Sequence, residues 1–316
     1  MVCACGLDRL LGDPQGWPHP VVLMGWFISG LRRWAEAWGA DSPCRLRIAG
    51  FLIMLALVGG SGLAGWIIER LALKHPASLP LLLVGMASCL AGRSLNLAVM
   101  AVLQPLNQKP ADLGEARQRL SGIVGRDTTG LSRSEIVRAT AETASENAVD
   151  GLFAPLFWLL VGTLVWCAGL TGWPGPLAIA WGFKASSTLD SMLGYRIGKL
   201  QWLGTAGARL DDLMVWLPCR LVALSLGQLG NALRDGKADP SPNAGVSQAA
   251  YAHAIGIRMG GVNHYKGEAI LKPILNKQGK EIKIYHILKI LKYNQLIALS
   301  WQGIGVLLIG AFIRGK

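Results

Sequence analysis

The stretch GRDTTGLSRSEIVRATAETASENAVDGLFAPLFW, residues 125–158, decides the fold because charged and apolar sequence meet inside it. Eight of its first 26 residues are charged, namely Arg126, Asp127, Arg133, Glu135, Arg138, Glu142, Glu146 and Asp150. The 33 residues that follow, Gly151–Phe183, contain no Asp, Glu, Lys or Arg. Runs of about 18 or more apolar residues are typical of membrane-spanning helices. The stretch therefore predicts a polar helix that leads directly into a membrane segment.

Composition places the whole chain in the same class. Its 316 residues are 52% hydrophobic and 16% charged, with a mean hydropathy of +0.38, whereas soluble domains carry about 25% charged residues. Two further charge-free runs, Ile48–Ile68 and Tyr293–Ile313, are each 21 residues long. A soluble all-helical protein would have to accommodate three such runs as core helices. We therefore predict an all-α, polytopic integral membrane protein whose polar cytoplasmic loops form the active site.

Two other apolar regions are ambiguous in the sequence. Ala77–Gly92 and Ser94–Gln108 are separated only by Arg93, so they could form one long tilted helix or a hairpin. Leu213–Leu233 has the length of a membrane span but contains Arg220. An ionisable side chain at that depth is expected to face protein or water rather than lipid.

The charge balance indicates the kinds of partner. The net charge is +12 and the isoelectric point is about 9.7. Such an excess of Lys and Arg indicates cytoplasmic loops under the positive-inside rule, and it also suits anionic substrates. Nucleic acid is not expected as a partner, because no nucleic-acid-binding motif occurs and the cations are spread over several loops. The six scattered cysteines are predicted to be reduced packing residues, which indicates a reducing compartment.

Three polar blocks, 109–150, 184–212 and 234–292, are predicted to carry the site within a single membrane-embedded domain spanning residues 1–316. If all three face the same side, the apolar residues 151–183 can cross the membrane twice only as a tight pair of short arms. Alternatively, some segments are re-entrant or lie at the interface, which is allowed where protein or water covers the backbone. The sequence leaves both arrangements open.

A helix is predicted to begin at Arg133, because Ser132 and Glu135 fit a capping box. At 100° per residue, this helix has a charged stripe, a small-residue face suited to close packing, and a hydrogen-bonding edge. These consist of Glu135, Arg138, Glu142 and Glu146; of Val137, Ala141, Ala144 and Ala148; and of Thr140, Thr143 and Asn147. The ordinary interpretation is a solvated surface helix with i,i+4 ion pairs such as Arg138–Glu142.

The spacing of the acids favours a second interpretation. Glu142, Glu146 and Asp150 repeat every four residues and are predicted to converge at the membrane edge. Like charges so placed repel by roughly 0.2–0.5 kcal/mol per pair unless a cation lies among them. Mg²⁺ is bound by one or two carboxylates together with substrate phosphates. In the preceding GRDTTG segment, Arg126 and the adjacent threonine hydroxyls are predicted to contact phosphate, although no Walker A sequence occurs.

The stretch at 125–158 strongly resembles the signature block of the CbiB/CobD family, the adenosylcobinamide-phosphate synthases of cobalamin biosynthesis. Other family segments are matched in the same order, and the resemblance runs from about residue 7 to residue 268. The matching segments are LDRLLGDPQGWPHPVVLMGWFI (7–28), STLDSMLGYR (187–196), ARLDDLMVWLPCRL (208–221), SPNAG (241–245) and GGVNHYKGE (260–268).

The resemblance implies a multi-pass enzyme of the cytoplasmic (inner) membrane. It implies an ATP-dependent ligase that joins (R)-1-aminopropan-2-ol, or its O-phosphate, to a propionate carboxylate of adenosylcobyric acid, with ATP and Mg²⁺ as cofactors. Membrane lipid is a further partner, and other cobalamin-pathway enzymes or a second copy of the chain are possible ones. A membrane transporter and a non-catalytic scaffold for corrinoid-pathway enzymes are the competing functions.

The same resemblance assigns roles to residues of this sequence. The expected metal ligands or bases are Glu142, Glu146 and Asp150, with Asn147 beside them and Asp127 orienting Arg126. The Gly-rich segment with Asn263 and Tyr265 is expected to lie against the corrin ring. The expected substrate- and phosphate-binding residues are Arg126, Thr128, Thr129, Lys184, Thr188, Asp190, Tyr195, Arg196, Arg209, Asp211, Ser241, Asn243, Asn263 and Tyr265.

Overall fold

A computed structural model describes residues 1–12 and 19–314. Residues 13–18, which belong to the motif segment 7–28, lie outside the described residues. In chain order, the elements are α1 (Val2–Leu11), α2 (Pro20–Gly39), α3 (Pro43–Lys74), a 3₁₀ turn (Pro76–Ser78), α4 (Leu79–Ala87), α5 (Gly92–Leu106), α6 (Leu113–Ser121), α7 (Arg133–Ala148), a π-helical turn (Val149–Phe153), α8 (Ala154–Cys167), α9 (Pro176–Leu193), α10 (Leu200–Leu203), α11 (Thr205–Ser225), α12 (Leu229–Gly236), α13 (Ala244–Ile255), β1 (Met259–Tyr265), β2 (Glu268–Leu275) and α14 (Ile284–Arg314).

The predicted fold class is confirmed. Among the described residues, four helical segments are long and apolar enough to cross a bilayer: Pro43–Lys74, Pro76–Leu106, Arg133–Cys167 and Ile284–Phe312. At 1.5 Å per residue, a span of about 20 residues crosses the hydrocarbon core, so each of these segments extends beyond it. The fold is thus that of an all-α polytopic membrane protein. All six cysteines are free, but Cys3 and Cys44 are exposed and therefore are not the packing residues that were predicted, whereas Cys5, Cys89 and Cys219 are buried.

The structure shows where the helices end in both ambiguous apolar regions. The region 77–108 is divided into α4 and α5 by a non-helical break at residues 88–91. Leu213–Leu233 is not one span, because α11 ends at Ser225 and Gly227 adopts a φ of +69° before α12 begins. Arg220 faces protein, as expected, and donates a hydrogen bond of 2.6 Å to Oδ1 of Asn243.

Contacts between Cα atoms divide the chain into two compact units. The first contains Met1–Ala91, Ala154–Met214 and Gln302–Lys316, and the second contains Gly92–Phe153 and Val215–Trp301. Each unit has its own packed interior and is described by itself. The single-domain organisation stays a prediction.

In the first unit, α2, α3 and α9 pack around a buried apolar cluster that includes Ile28, Ile53 and Leu189. Two glycines of α3 allow backbones to approach closely: a Cβ at Gly50 would lie 2.0 Å from the carbonyl oxygen of Leu203, and one at Gly65 would lie 2.8 Å from Cα of Ala178. Small residues permit this kind of helix packing in membranes.

Residues 154–193 of the first unit form a helical hairpin. Helices α8 and α9 pack against each other, and a Cβ at Gly162 of α8 would overlap the backbone of Gly175 and Pro176 at the start of α9. The end of α8 therefore lies beside the beginning of α9, so the two helices are antiparallel. A helical hairpin is compatible with both sequence-based alternatives, the tight pair of crossing arms and the re-entrant segment, so the topology of residues 151–183 stays a prediction.

The beginning of α9 is capped from another helix. Glu69, near the end of α3, is fully buried. Its carboxylate accepts N–H hydrogen bonds from Gly175 at 2.9 Å, Leu177 at 2.7 Å and Ala178 at 3.0 Å. The first N–H groups of a helix have no partner within the helix and carry the positive end of its dipole. The buried charge of Glu69 is stabilised by these donors.

In the second unit, α7 is a packed helix rather than a solvated one. Its neighbours are α5, α6, α13 and β1. The capping box of Ser132 and Glu135 is present, and the small-residue face is buried, which confirms both predictions. Because three sides of the helix meet protein, its charged stripe must find partners within the fold.

A β-hairpin, which was not predicted, occupies the Gly-rich segment. Strands β1 and β2 pair antiparallel, with Val262 opposite Leu271 and Tyr265 opposite Glu268. The turn residues Lys266 and Gly267 have φ values of +52° and +83°. Positive φ at both central positions is the pattern of a type I′ turn, whose twist matches that of paired strands.

Candidate functional site

The carboxylate of Glu142 is the centre of a buried ionic network in the second unit. The residue is 2% exposed. Its Oε2 lies 2.7 Å from Nη2 of Arg126, and its Oε1 accepts the backbone N–H of Gly260 at 2.8 Å. Nη1 of Arg138, one helical turn earlier, lies 3.7 Å from Oε1. Two guanidinium groups and a backbone donor therefore neutralise this buried charge.

The same arginines hold the β-hairpin against α7. Arg126 donates to Oδ1 of Asn263 at 2.7 Å, while Arg138 donates to the carbonyl oxygens of Gly260 at 2.6 Å and Val262 at 2.7 Å. Arginine provides several rigidly oriented donors, so one side chain can bind a carboxylate and the backbone at once. The network fixes strand β1 relative to the helix that carries Glu142.

Asp127 has a different role from the predicted one. Instead of orienting Arg126, its Oδ2 accepts the N–H of Gly267 in the hairpin turn at 2.7 Å. Its own N–H donates to the carbonyl oxygen of His264 at 2.8 Å. The GRDTTG segment is thus attached to both the strand and the turn of the hairpin, since Arg126 binds β1 as well.

The two threonines of GRDTTG differ in solvent exposure, and Asn147 contacts a different segment. Thr128 is 6% exposed, whereas Thr129 is exposed. Asn147 donates to Oγ1 of Thr143 at 3.1 Å, and Thr143 donates to the carbonyl oxygen of Ile123 at 2.9 Å. Asn147 therefore supports the segment that precedes GRDTTG. Phosphate contacts by Thr128 and Thr129 stay predictions.

The three acids of the predicted magnesium site are not brought together. Glu142 is bound by arginine, and Glu146 accepts a hydrogen bond of 2.7 Å from Gln248. Asp150 lies in the π-helical turn, which changes the residue spacing per turn and so ends the i,i+4 alignment. Within residues 1–12 and 19–314, no three His, Cys, Asp or Glu side chains come close enough to hold one ion. The predicted three-carboxylate centre is corrected accordingly.

The SPNAG segment forms a structured turn at the beginning of α13. Oγ of Ser241 accepts the N–H groups of Asn243 and Ala244, each at 3.2 Å. Oδ1 of Asn243 is bound by Arg220. Turn and helix-start chemistry therefore accounts for both polar side chains. Tyr265, at the end of β1, is partly buried.

A second group of predicted residues meets in the first unit. Asp190 of α9 and Asp211 of α11 interact electrostatically, together with Asp212 and the ammonium of Lys184. Burial, followed by the charges of Asp190 and Asp212, raises the pKa of Asp211 to about 7. Oδ1 of Asp211 is buried and has no hydrogen-bond partner among the described side chains and backbone. This carboxylate pair is therefore short of positive charge.

The other residues of the first unit that were predicted to bind substrate lie near Asp190 and Asp211 in the sequence. Thr188 is buried and donates from Oγ1 to the carbonyl oxygen of Lys184 at 2.7 Å, which is a bond within its own helix. The side chains of Tyr195, Arg196 and Arg209 are exposed. Substrate contacts by these four residues stay predictions.

The carboxylates around Asp211 and the carboxylate of Glu142 differ in how well they could hold Mg²⁺, the ion that would accompany ATP. Mg²⁺ prefers one or two carboxylates and completes its shell with phosphates and water. Asp190 and Asp211 fit that requirement, since Asp211 retains an unpartnered oxygen. Glu142 does not fit it, because Arg126 and Gly260 already occupy its two oxygens.

Sequence reasoning missed several residues of the network around Glu142. Arg138 was predicted only to form an ion pair with Glu142, and Gly260 was given no role beyond its place in the Gly-rich segment expected to lie against the corrin ring. Gly260 has a φ of +87°, and a Cβ there would lie 1.9 Å from the carbonyl oxygen of Pro273, so glycine is required by the fold. A separate ion pair was also missed: Lys272 of β2 lies 3.0 Å from Asp239, and Lys272 is outside the family motifs recognised in the sequence.

Comparisons with known proteins agree over nearly the whole chain. A family model described as "CobD/Cbib protein" matches residues 1–294. The "Cobalamin biosynthesis protein CobD" of Synechocystis sp. is 42% identical over 306 residues, covering 94% of this chain and 86% of that protein. The "Cobalamin biosynthesis protein CbiB" of Salmonella arizonae is 38% identical over 324 residues, covering 98% and 94%. The CbiB protein of Salmonella typhimurium is 39% identical over 309 residues, covering 93% and 90%. No solved structure matches.

Proposed function

The chain belongs to the CobD/CbiB family of cobalamin-biosynthesis proteins, and on that premise we propose that it is an ATP-dependent ligase that forms an amide. Its substrates are adenosylcobyric acid and (R)-1-aminopropan-2-ol or the O-phosphate of that amine. Membership of a cobalamin-biosynthesis family supports a corrinoid substrate. The observation that carries the ligase part of the proposal is the buried Oδ1 of Asp211, which has no hydrogen-bond partner among the described residues and interacts electrostatically with Asp190 and Lys184.

The reaction requires activation of a carboxylate. A carboxylate does not react with an amine unless one oxygen is made a leaving group, as in an acyl phosphate. Phosphoryl transfer from ATP needs positive charge around the transferred group. The amine must also lose a proton before or during attack.

The paired aspartates suit the first of these requirements. Asp190 and Asp211 would hold Mg²⁺, which would shield the negative charge of the ATP phosphates. Lys184 interacts electrostatically with the same carboxylates and would orient a phosphate oxygen as a fixed positive charge. The ion and the lysine together would offset the burial and the repulsion from neighbouring carboxylates, which now raise the pKa of Asp211.

The β-hairpin suits the large ring of the corrinoid substrate. On the strand that Arg126 and Arg138 hold in place, the exposed side chain of Val262 would offer apolar surface to a planar ring. Strand β1, which ends at Tyr265, would form one wall for the corrin ring. The polar segments would face the cytoplasm from the inner membrane, in keeping with the net charge of +12.

The decisive experiment supplies the purified, detergent-solubilised protein with adenosylcobyric acid, Mg-ATP and each amine in turn. We expect mass spectrometry to detect the amide product with one or both amines, and ATP consumption to match it. Absence of the amide with both amines would overturn the ligase assignment. Flux of a labelled solute into proteoliposomes without any ATP-dependent product would favour a transporter instead.

Mg²⁺ is expected to stabilise the protein through the aspartate pair. A ligand at about 100 times its Kd adds about 2.7 kcal/mol of stability, which raises Tm by roughly 5 °C for a chain of this size. The measurement is Tm in detergent after removal of divalent ions and again after addition of Mg²⁺, without nucleotide.

The matched variants for this measurement are Asp211→Asn and Asp41→Asn. Asp211→Asn is expected to lose most of the shift, because the amide carries no charge. Asp41→Asn is expected to retain it, because Asp41 is a fully exposed carboxylate whose side chain is 97% accessible. An equal shift in all three proteins would contradict the assignment of the ion to Asp211.

A further inference from the structure

A cleft of about 470 Å³ opens in the second unit beside the buried arginine network. Its walls come from the beginning of α7, the region around Gly260, the end of β2 and the segment before α14. Its volume lies within the range of small-molecule sites, which is about 300–1,000 Å³. Neither Glu142 and Glu146 nor the SPNAG turn contributes a wall.

Three cationic side chains line this cleft: Arg138, Arg258 and Lys277. Arg138 is held in position by its bonds to the carbonyl oxygens of Gly260 and Val262. Arg258 and Lys277 are exposed. In the described part of the chain, no hydrogen bond or ion pair engages either of these two side chains. Their donors are therefore available to a ligand.

Two acids also line the cleft, but they do not cancel its charge. Glu135 is occupied by the capping box, since it accepts both the N–H and the hydroxyl of Ser132 at 2.8 and 2.7 Å. Glu281 is exposed on the opposite segment. Three cations and two acids leave an excess of one positive charge. Lys280 and Lys283 add further positive charge along the same segment.

A neighbouring cleft of about 710 Å³ shares Ile274 and Lys277 with the first but offers less to an anion. Its Arg234 and His253 both contact Asp235, at 3.0 and 2.7 Å. The free cations are therefore concentrated in the smaller cleft. The larger one adjoins it as space for the remainder of a ligand that is bound at Lys277.

We propose that the smaller cleft binds a phosphate group through Arg258 and Lys277, with Arg138 as a fixed wall of the site. Guanidinium and ammonium groups form charge-assisted hydrogen bonds with phosphate oxygens, which are the strongest hydrogen bonds of ordinary side chains. Two phosphorylated ligands, a nucleoside triphosphate and a phosphorylated amino alcohol, share this chemistry. Which of them is bound rests on the proposed function, whereas affinity for phosphate does not.

The test measures binding rather than turnover. The full-length, detergent-solubilised protein is titrated by calorimetry with ATP, with aminopropanol O-phosphate and with aminopropanol lacking the phosphate. We expect one of the phosphorylated ligands to bind and the unphosphorylated amine to bind at least about tenfold more weakly, a factor that corresponds to about 1.4 kcal/mol. The ligand whose binding is weakened by the variants of Arg258 and Lys277 identifies the source of the phosphate, because ATP is also proposed to bind with Mg²⁺ at Asp190 and Asp211.

Variants separate the cleft from other basic sites. Arg258→Gln and Lys277→Gln are each expected to weaken phosphate binding about tenfold, and Lys277→Glu to abolish it. Lys283→Gln is the matched control, because Lys283 is an exposed lysine of the same segment that does not line the cleft. It is expected to bind as the unmodified protein does.

The exposed positions of Arg258 and Lys277 should leave folding intact, and Tm without ligand checks this. Unchanged affinity in Arg258→Gln and Lys277→Glu would overturn the proposal, as would absence of phosphate binding by the unmodified protein. Binding at this cleft without amide formation would leave the proposal standing and contradict only the ligase function.

Discussion

Replacement of Glu69 by alanine is expected to remove much of the stability of the folded chain. The change deletes the acceptor for three backbone N–H groups at the start of α9. Each buried donor left without a partner costs about 1–3 kcal/mol, so the total loss is about 3 kcal/mol or more. Both the yield of folded protein and Tm in detergent should fall.

Two other variants test whether the loss of stability comes from the missing acceptor at the start of α9. Glu69→Gln retains an acceptor oxygen without the charge, so its Tm should lie between those of the unmodified protein and Glu69→Ala. Glu36→Ala removes a carboxylate from a partly exposed i,i+4 pair with Arg32, and such pairs contribute less than about 1 kcal/mol. A Tm for Glu69→Ala equal to that for Glu36→Ala would show that the cap does not stabilise the unit.

Replacement of Glu142 by alanine is expected to release the β-hairpin and to abolish product formation. Arg126 and Arg138 would lose the carboxylate that neutralises them, and removal of one partner from a buried ion pair costs about 3–5 kcal/mol. Strand β1 depends on the same arginines for its position. We expect turnover to fall by at least about 100-fold, which corresponds to about 2.7 kcal/mol in the barrier.

Limited proteolysis supplies a second measurement that does not depend on activity. Trypsin cleaves after Lys266, in the exposed turn of the hairpin, and mass spectrometry can follow that single cut. Cleavage should be faster in Glu142→Ala than in Glu268→Gln, a variant of an exposed acid in the same hairpin. Equal cleavage and normal turnover in Glu142→Ala would show that the network does not position the hairpin.

Local rules account for the parts of the site that the sequence could predict. The capping box at Ser132 and the buried small-residue face of α7 follow from residue spacing along one helix. The burial of Arg220 against protein follows from the cost of exposing its charge to lipid. Each of these predictions depends on residues only a few positions apart in the sequence, or on whether a side chain would face lipid or protein.

The pairings that define the network lie beyond such rules. Arg126 and Asn263 are 137 residues apart, and Glu142 and Gly260 are 118 apart. No spacing in the sequence indicates which arginine meets which acid. The sequence therefore indicated that Glu142 belongs to an acidic group that binds a metal ion. Within the fold, Arg126 already neutralises the charge of Glu142.

Two local conformations also escaped prediction, for different reasons. The π-helical turn at Val149–Phe153 contains Gly151, but a single glycine does not distinguish a π-helical turn from an ordinary helix, and the turn moves Asp150 off the stripe. The hairpin turn at Lys266 and Gly267 lacks the Asn-Gly or Asp-Gly pair that usually marks a type I′ turn. Its strands consequently resembled a flexible Gly-rich loop.

The close helix contacts of the first unit divide the glycines of α3 into two kinds. At Gly50 and Gly65 the neighbouring backbone leaves no room for a methyl group, whereas at Gly59 and Gly60 nothing lies within 4 Å of an added Cβ. A saturation library of this helix should consequently return glycine alone at the first two positions and many residues at the other two. The tolerance of α3 to sequence drift is thus set residue by residue, even within its charge-free run Ile48–Ile68.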